Sequence, residues 1–270
     1  MQNAPVTVAE RTLVEAIEST LHFYPPVAEI SADLGIPGVQ GRVTAISHPL
    51  ANLVGMARLD EETADATILR VRQRFAREHK AFGWVTGPGT TPPDLEARLA
   101  RAGLQHAARI AGMALTDLAA PIAANPAVRV EEVAPAEALA ESEMMARAYG
   151  IPREVNDLFA RMVTTNPSIR ARGYFAYLDG PAPIAWSYLV YVPGSPIVLL
   201  GGAATVPEAR GRGTYTALVK RRLDDARADG REAAVIQADR DTSAPICAKL
   251  GFRELCSLEF YGWSPEGDAA

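Results

Sequence analysis

The sequence predicts a mixed α/β protein built as two units of similar size. Three observations carry this reading. The chain has 270 residues, long for one ordinary domain and comfortable for two. Near its middle, Leu118 to Ala127 holds two prolines and five alanines with neither helical nor strand periodicity, which marks a linker. The second half orders its apolar runs and helical stripes as β-α-α-β-β-β-α-β-α-β, which is no βαβ repeat. The expected division is therefore a first domain at 1–118, a linker at 119–127 and a second domain at 128–270.

In the second domain, Val128 to Val133 reads as a strand and Pro135 to Ala148 as a helix ended by Gly150, a residue suited to the C′ position. Arg153 to Thr164 is a second helix, stopped by Asn166-Pro167. Gly173 to Leu178 and Pro183 to Val192 form a hairpin around Asp179-Gly180. Pro196 to Thr205 is a further apolar strand. A helix from Thr214 to Ala228 stops at Gly230, and Ala233 to Ala238 is a short apolar strand. Ser243 to Leu250 is a short helix with Pro245 in its first turn and Gly251 at its end, and Glu254 to Trp263 closes the domain as a strand.

The first domain reads as a shorter echo. Asn52 to Leu59 is a strand, Glu62 to Lys80 a helix, Ala81 to Thr86 a strand, Pro92 to Ala102 a helix and His106 to Leu118 the closing strand. The succession matches Thr205 to Pro265, and the helix endings Leu99–Leu104 and Cys247–Phe252 run LARAGL and CAKLGF. Together these indicate an internal duplication.

Composition narrows the function. A net charge of −5 argues against a nucleic-acid partner, whose phosphates need neutralising by Lys and Arg. The longest apolar run is about half of the ~20 residues that a membrane helix needs, and no signal segment is read at the N-terminus. A cytoplasmic protein is expected, monomeric or homodimeric. The two cysteines, Cys247 and Cys256, lie apart from all four histidines, so neither a disulfide framework nor a metal site is expected.

The chemistry concentrates in Val206 to Val219, VPEARGRGTYTALV, between a strand and a helix. A helix start leaves backbone N–H groups unpaired and carries partial positive charge. Gly211 and Gly213 let the backbone curl so that successive N–H groups converge, and Arg210 and Arg212 add charge. This is a pyrophosphate cradle. A P-loop would need a lysine after the glycines, and the dinucleotide fingerprint would need glycine where Thr216 stands.

The stretch resembles motif A of the Gcn5-related N-acetyltransferases, [R/Q]-x-x-G-x-[G/A], matching at Arg210 and Gly213 and departing at Tyr215. SAPICAKLGF, Ser243 to Phe252, is similar to that family's motif B, and the resemblance covers about Val128 to Trp263. It implies an acyl-CoA N-acyltransferase fold, acetyl-CoA as co-substrate, and a small-molecule or amino-acid-like amine as acceptor in a ternary complex. It implies that Arg210, Gly211, Arg212, Gly213, Thr214 and Tyr215 hold the pyrophosphate. Ala203, Ala204 and Thr205 would pair with the pantetheine arm, with Gly201-Gly202 marking a bulge or close approach.

Transfer to an amine needs a general base, and the departing thiolate calls for a proton. Where much of the family has a proton-donating tyrosine, this chain has Cys247; Tyr215 and Tyr261 are possible substitutes. No histidine follows His106, so Asp239, Asp241 and Glu259 are the base candidates. Trp186 and Tyr188 are candidates for the acceptor pocket, and His48 for a shared cleft. The first domain's equivalent loop, Arg58 to Thr63, has no glycine and three adjacent acids, which implies a degenerate copy that does not bind acetyl-CoA. A non-catalytic acyl-CoA sensor, or transfer of a larger acyl group or to a hydroxyl, are the alternatives.

Overall fold

The computed structural model describes residues 8–265; the outer ends of the two expected domains, 1–7 and 266–270, lie outside them. The described residues form two compact units, one of 18–111 with 256–265 and one of 8–17 with 112–255. These are not the consecutive halves expected from the linker, since 119–127 lies wholly within the second unit. The reason is that the last strand of the chain supplies residues to the first unit.

Along the chain the elements are α1 (Glu10–Ser19), β1 (Ser31–Asp33), β2 (Gln40–Thr44), β3 (Leu53–Gly55), α2 (Glu61–Ala76), β4 (Phe82–Thr86), α3 (Leu95–Arg101) and β5 (Gln105–Leu115). They continue as β6 (Arg129–Val133), α4 (Pro135–Ala140), α5 (Ser142–Tyr149), α6 (Arg153–Thr164), β7 (Ala171–Tyr177), β8 (Pro183–Tyr191) and β9 (Ile197–Thr205). The last are α7 (Thr214–Ala228), β10 (Ala233–Asp239), α8 (Ser243–Lys249) and β11 (Arg253–Trp263).

In the first unit, β1 pairs antiparallel with β2 and β2 with β3, while β3 runs parallel to β4. The unit is completed by β11, antiparallel to β4 in the register Glu259↔Thr86, Tyr261↔Trp84 and Trp263↔Phe82. Directly opposed residues share a face, so these aromatic rings meet on one side, over Ile68, Val71 and Phe75 of α2 and Leu95 and Leu99 of α3. The core of this unit is therefore partly built from the far end of the chain.

In the second unit, β6, β7, β8 and β9 form an antiparallel meander, and β10 joins β9 in parallel. The expected helix over 135–148 is two, broken at Glu141. Ser142 at the break turns its side chain to Asp157 and Asn156 of α6, a local alternative that competes with a continuous helix. The αL residue at the end of α5 is Gly150, with φ of 76°. Three elements have no counterpart in the sequence expectations: α1, β1 and β2. Gly41 and the long polar Arg42 interrupt any alternation in β2.

Along the chain one succession occurs twice, β3-α2-β4-α3-β5 and β9-α7-β10-α8-β11, and in both the first two strands are parallel.

Candidate functional site

In the second unit β9 and β10 pair at only three positions, ending at Leu199↔Val235. Both strands continue beyond, β9 to Thr205 and β10 to Asp239, with no further partner in each other. They thus bound a notch whose β9 side is unpaired backbone. On its other edge β9 pairs with β8, and the register slips between Trp186 and Tyr188, where Gly202 and Ala203 together oppose Ser187. Gly202 has φ of 44°, and a Cβ there would lie 2.7 Å from the Trp186 ring. Only glycine meets both conditions, so the sequence expectation of a bulge at Gly201-Gly202 corresponds to a real irregularity.

Beyond β9, Pro207–Ala209 makes a 3-10 turn, and Gly211 and Gly213 adopt left-handed φ of 76° and 81°. These two glycines bring the chain round to the N-terminus of α7. The N–H groups from Gly211 to Thr216 donate to no group among the described residues; the first to do so is Ala217, to Gly213 O. The first turn of α7 carries no acid. Six successive unpaired donors at a helix N-terminus make a receptor for an anion.

The arginines serve this turn structurally. Arg210 Nε donates to Thr205 O at 3.1 Å and Nη2 to Ala148 O at 3.2 Å, tying the end of β9 to the end of α5. Arg212 pairs with Asp179 in the β7–β8 turn. Asn125, in the expected linker, donates to Arg212 O at 2.9 Å and fixes the turn from outside; sequence reasoning gave it no role.

Behind the turn lies a buried polar cluster. The Tyr215 hydroxyl is 3.4 Å from Cys247 Sγ on α8. Burial pushes the Cys247 thiol up, outweighing the lowering by the Tyr215 hydroxyl and the Arg222 guanidinium. Burial, then the neighbouring Cys247, raises Tyr215 well above its ordinary value, so both groups keep their protons at neutral pH. Arg222 is wholly buried and donates to Leu218 O, Tyr188 O and Gly201 O. The signal for it was present in the sequence, an arginine on the apolar stripe Leu218–Arg222–Ala226, and went unread.

The remaining candidates separate. Asp239, exposed at the end of β10, accepts at Oδ1 from Asp241 N, Thr242 N and Thr242 Oγ1, and so shapes the turn into α8. Glu259 belongs to the first unit, where His106 lies 2.8 Å from Oε2, and Arg109 Nε (2.7 Å) and Ser257 Oγ (3.0 Å) donate to Oε1. Burial would raise its carboxyl, but these bonds prevail and hold it below the usual range. Tyr261 Oη donates to Glu96 in that same unit. Tyr215, then, is the tyrosine that meets Cys247. His48 Nδ1 accepts from Leu50 N, a turn contact. Trp186 and Tyr188 are buried core rings 4.9 Å apart, with Trp186 Nε1 donating to Met145 O.

No protein-family model and no curated protein matches the chain. Among solved structures it is similar to a GCN5-related N-acetyltransferase from Kribbella flavida, with 16% identity, a TM-score of 0.67, and 95% of this chain and 96% of that chain covered. It is also similar to a GCN5-related N-acetyltransferase from Sphaerobacter thermophilus, at 13% identity, TM-score 0.61 and 84% and 77% coverage. The chain has the Gcn5-related N-acetyltransferase fold. A tandem GNAT protein from the clavulanic acid biosynthesis pathway shares this acetyltransferase fold with it, at 17% identity, TM-score 0.59 and 84% and 78% coverage.

Within the first unit, the loop from β3 into α2 is built differently from the β9–α7 turn. Arg58 N donates to Gly38 O and Leu59 N to Thr91 O, and Asp60, Glu61 and Glu62 stand at the start of α2. His22 packs on the end of β3, its Nε2 2.4 Å from where a Gly55 Cβ would be, and Glu18 bonds Gly89 N beyond β4.

Proposed function

We propose that the protein is an acetyl-CoA-dependent N-acetyltransferase that passes the acetyl group directly to the amine of a small-molecule or amino-acid-like acceptor. The observation that carries this reading is the run of unpaired N–H groups from Gly211 to Thr216, set at the mouth of the β9–β10 notch. A pyrophosphate fits that run of donors, and a pantetheine arm fits the unpaired edge of β9 at Ala203, Ala204 and Thr205. Acetyl-CoA supplies an activated acyl group as a thioester. The protein's part is to hold it, orient its carbonyl and manage protons. Tyr215 and Cys247, both protonated, are the proton source for the departing thiolate. Asp239, whose Oδ2 has no hydrogen bond among the described residues, is the base for the acceptor amine. Glu259, with both oxygens engaged, is read as structural.

The first unit is read as a degenerate copy of the same fold. The bonded N–H groups of Arg58 and Leu59 and the three acids at the start of α2 support that.

The Tyr215–Cys247 contact favours a second reading. It links the N-terminal turn of α7 to the last turn of α8, the two helices that follow the walls of the notch, where much of the family has a small residue at the Tyr215 position. If Tyr215 stays there, the protein is a non-catalytic acyl-CoA-binding module.

Calorimetry with acetyl-CoA on the wild type and on Arg212→Glu tests the common premise. Arg212 is exposed, so the change puts a carboxylate at the mouth without backbone strain. Gly213→Asp would not be clean, since φ is 81° and a Cβ would lie 3.1 Å from Asn125. Binding in the wild type, weakened about tenfold or more in the variant, is expected. A folded wild type that does not bind acetyl-CoA sinks both readings. Turnover with a panel of amines, alcohols and longer acyl donors then separates enzyme from sensor.

A further inference from the structure

The acyl-donor reading leaves one buried charge without a purpose. Arg222 is 0% exposed, and its Nη2 has no acceptor among the described residues. Its hydrogen-bond partners are all carbonyls: Leu218 O at 3.1 Å, Tyr188 O at 3.1 Å and Gly201 O at 3.3 Å. A buried guanidinium without a carboxylate is costly, and an apolar side chain on the same stripe would avoid that cost. Sites that break such a local rule are where function is expected.

The carbonyls it chooses are informative. Tyr188 and Gly201 form the last regular β8–β9 pair before the bulge. The Gly201–Gly202 peptide is trans, as the single cis bond among the described residues is Thr91–Pro92. A planar trans peptide sends its C=O and its N–H in opposite directions. With Gly201 O turned toward Tyr188 and Arg222, Gly202 N–H is turned toward the notch, where β9 has no partner. A cation bonded to the oxygen of an amide draws charge from its nitrogen and strengthens the N–H as a donor.

We infer that Arg222 is a positioning residue: through the Gly201 carbonyl it fixes the bulge and polarises Gly202 N–H as the donor to the acyl carbonyl. The inference rests on the proposed acyl-donor site. Its benefit is largest where negative charge develops on that oxygen, in a site closed to water.

The test uses the full chain with two probes, CoA and acetyl-CoA labelled with 13C at the carbonyl. On the wild type the bound carbonyl resonance moves downfield. In Arg222→Met most of that displacement is lost, and the preference for acetyl-CoA over CoA falls by about tenfold, while CoA itself binds within about threefold of wild type. Arg222→Lys restores part of the displacement, which a packing role alone would not do. If the Met variant does not fold, Arg222→Gln replaces it, since it can bond the same carbonyls without charge. A folded neutral variant with undiminished displacement and preference overturns the inference and leaves the acyl-donor site standing. A wild type that binds neither probe overturns the site and the inference together.

Discussion

Gly202 illustrates how one residue shapes the notch. Alanine there must hold φ near 44° and put its methyl 2.7 Å from the buried Trp186 ring. The backbone strain costs about 1–2 kcal/mol and the overpacking a further 1–3 kcal/mol. Gly202→Ala is therefore expected to lose about 2–5 kcal/mol in urea unfolding, against near-neutral behaviour for Gly180→Ala, where a Cβ meets nothing. Tyr215 separates chemistry from packing. Tyr215→Phe keeps the ring and removes the hydroxyl that lies 3.4 Å from Cys247. If the pair protonates the thiolate, Tyr215→Phe lowers kcat by about 10²-fold or more, within the usual range for a general acid, and leaves acetyl-CoA affinity unchanged. An unchanged kcat would mean that the thiolate departs unaided. Tyr215→Gly, which opens the space between α7 and α8, should instead tighten acetyl-CoA binding if the sensor reading is right.

At the scale of elements, the sequence was most legible where spacing and punctuation agree. α6 and α7 have the bounds expected, Arg153–Thr164 and Thr214–Ala228, because each has an apolar stripe bounded by a proline or a glycine. The glycine turn was legible for the same reason: Gly211 and Gly213 have few structural alternatives. β1 and β2 were not, since three and five residues with a glycine and an arginine among them carry no period. The functional weight of Arg222 was hidden because a helix stripe shows where a side chain points and not which carbonyls it finds. The segment after α1 shows how far such a silent stretch matters. It places His22 against β3, and burial, followed by the Arg42 guanidinium, pushes the imidazole down to about 3. A histidine held neutral in the fold contributes stability that is whole above its unfolded value near 6.5 and is withdrawn as pH falls from there toward 3. Thermal unfolding of the first unit should thus weaken below pH 6.5, by at most ~1.4 kcal/mol per pH unit from this residue. In His22→Gln that dependence should flatten; an unaltered pH profile would assign it elsewhere.

At the scale of the whole molecule, the division into domains was the least legible feature, because strand patterning says that Glu254 to Trp263 is a strand and not which core it serves. Tyr261 and Trp263 are 6% and 4% exposed within the first unit's core, and β11 gives β4 its antiparallel partner there. Losing one such aromatic costs about 3–5 kcal/mol, and a domain has only about 5–15 kcal/mol in all. A chain ending at Leu255 should therefore leave residues 18–111 without a stable fold, and a fragment of 1–118 should behave the same way. Trp84 lies in this core, so its burial is reported by fluorescence. With Trp263 absent from both shortened chains and Trp186→Phe introduced in the longer one, Trp84 is the sole tryptophan. Its emission should resemble that of the urea-unfolded chain, and amide exchange over β3 and β4 should be fast. If Trp84 instead stays buried and β4 stays protected without β11, the first unit folds on its own, and the chain's last strand is an addition to a complete domain.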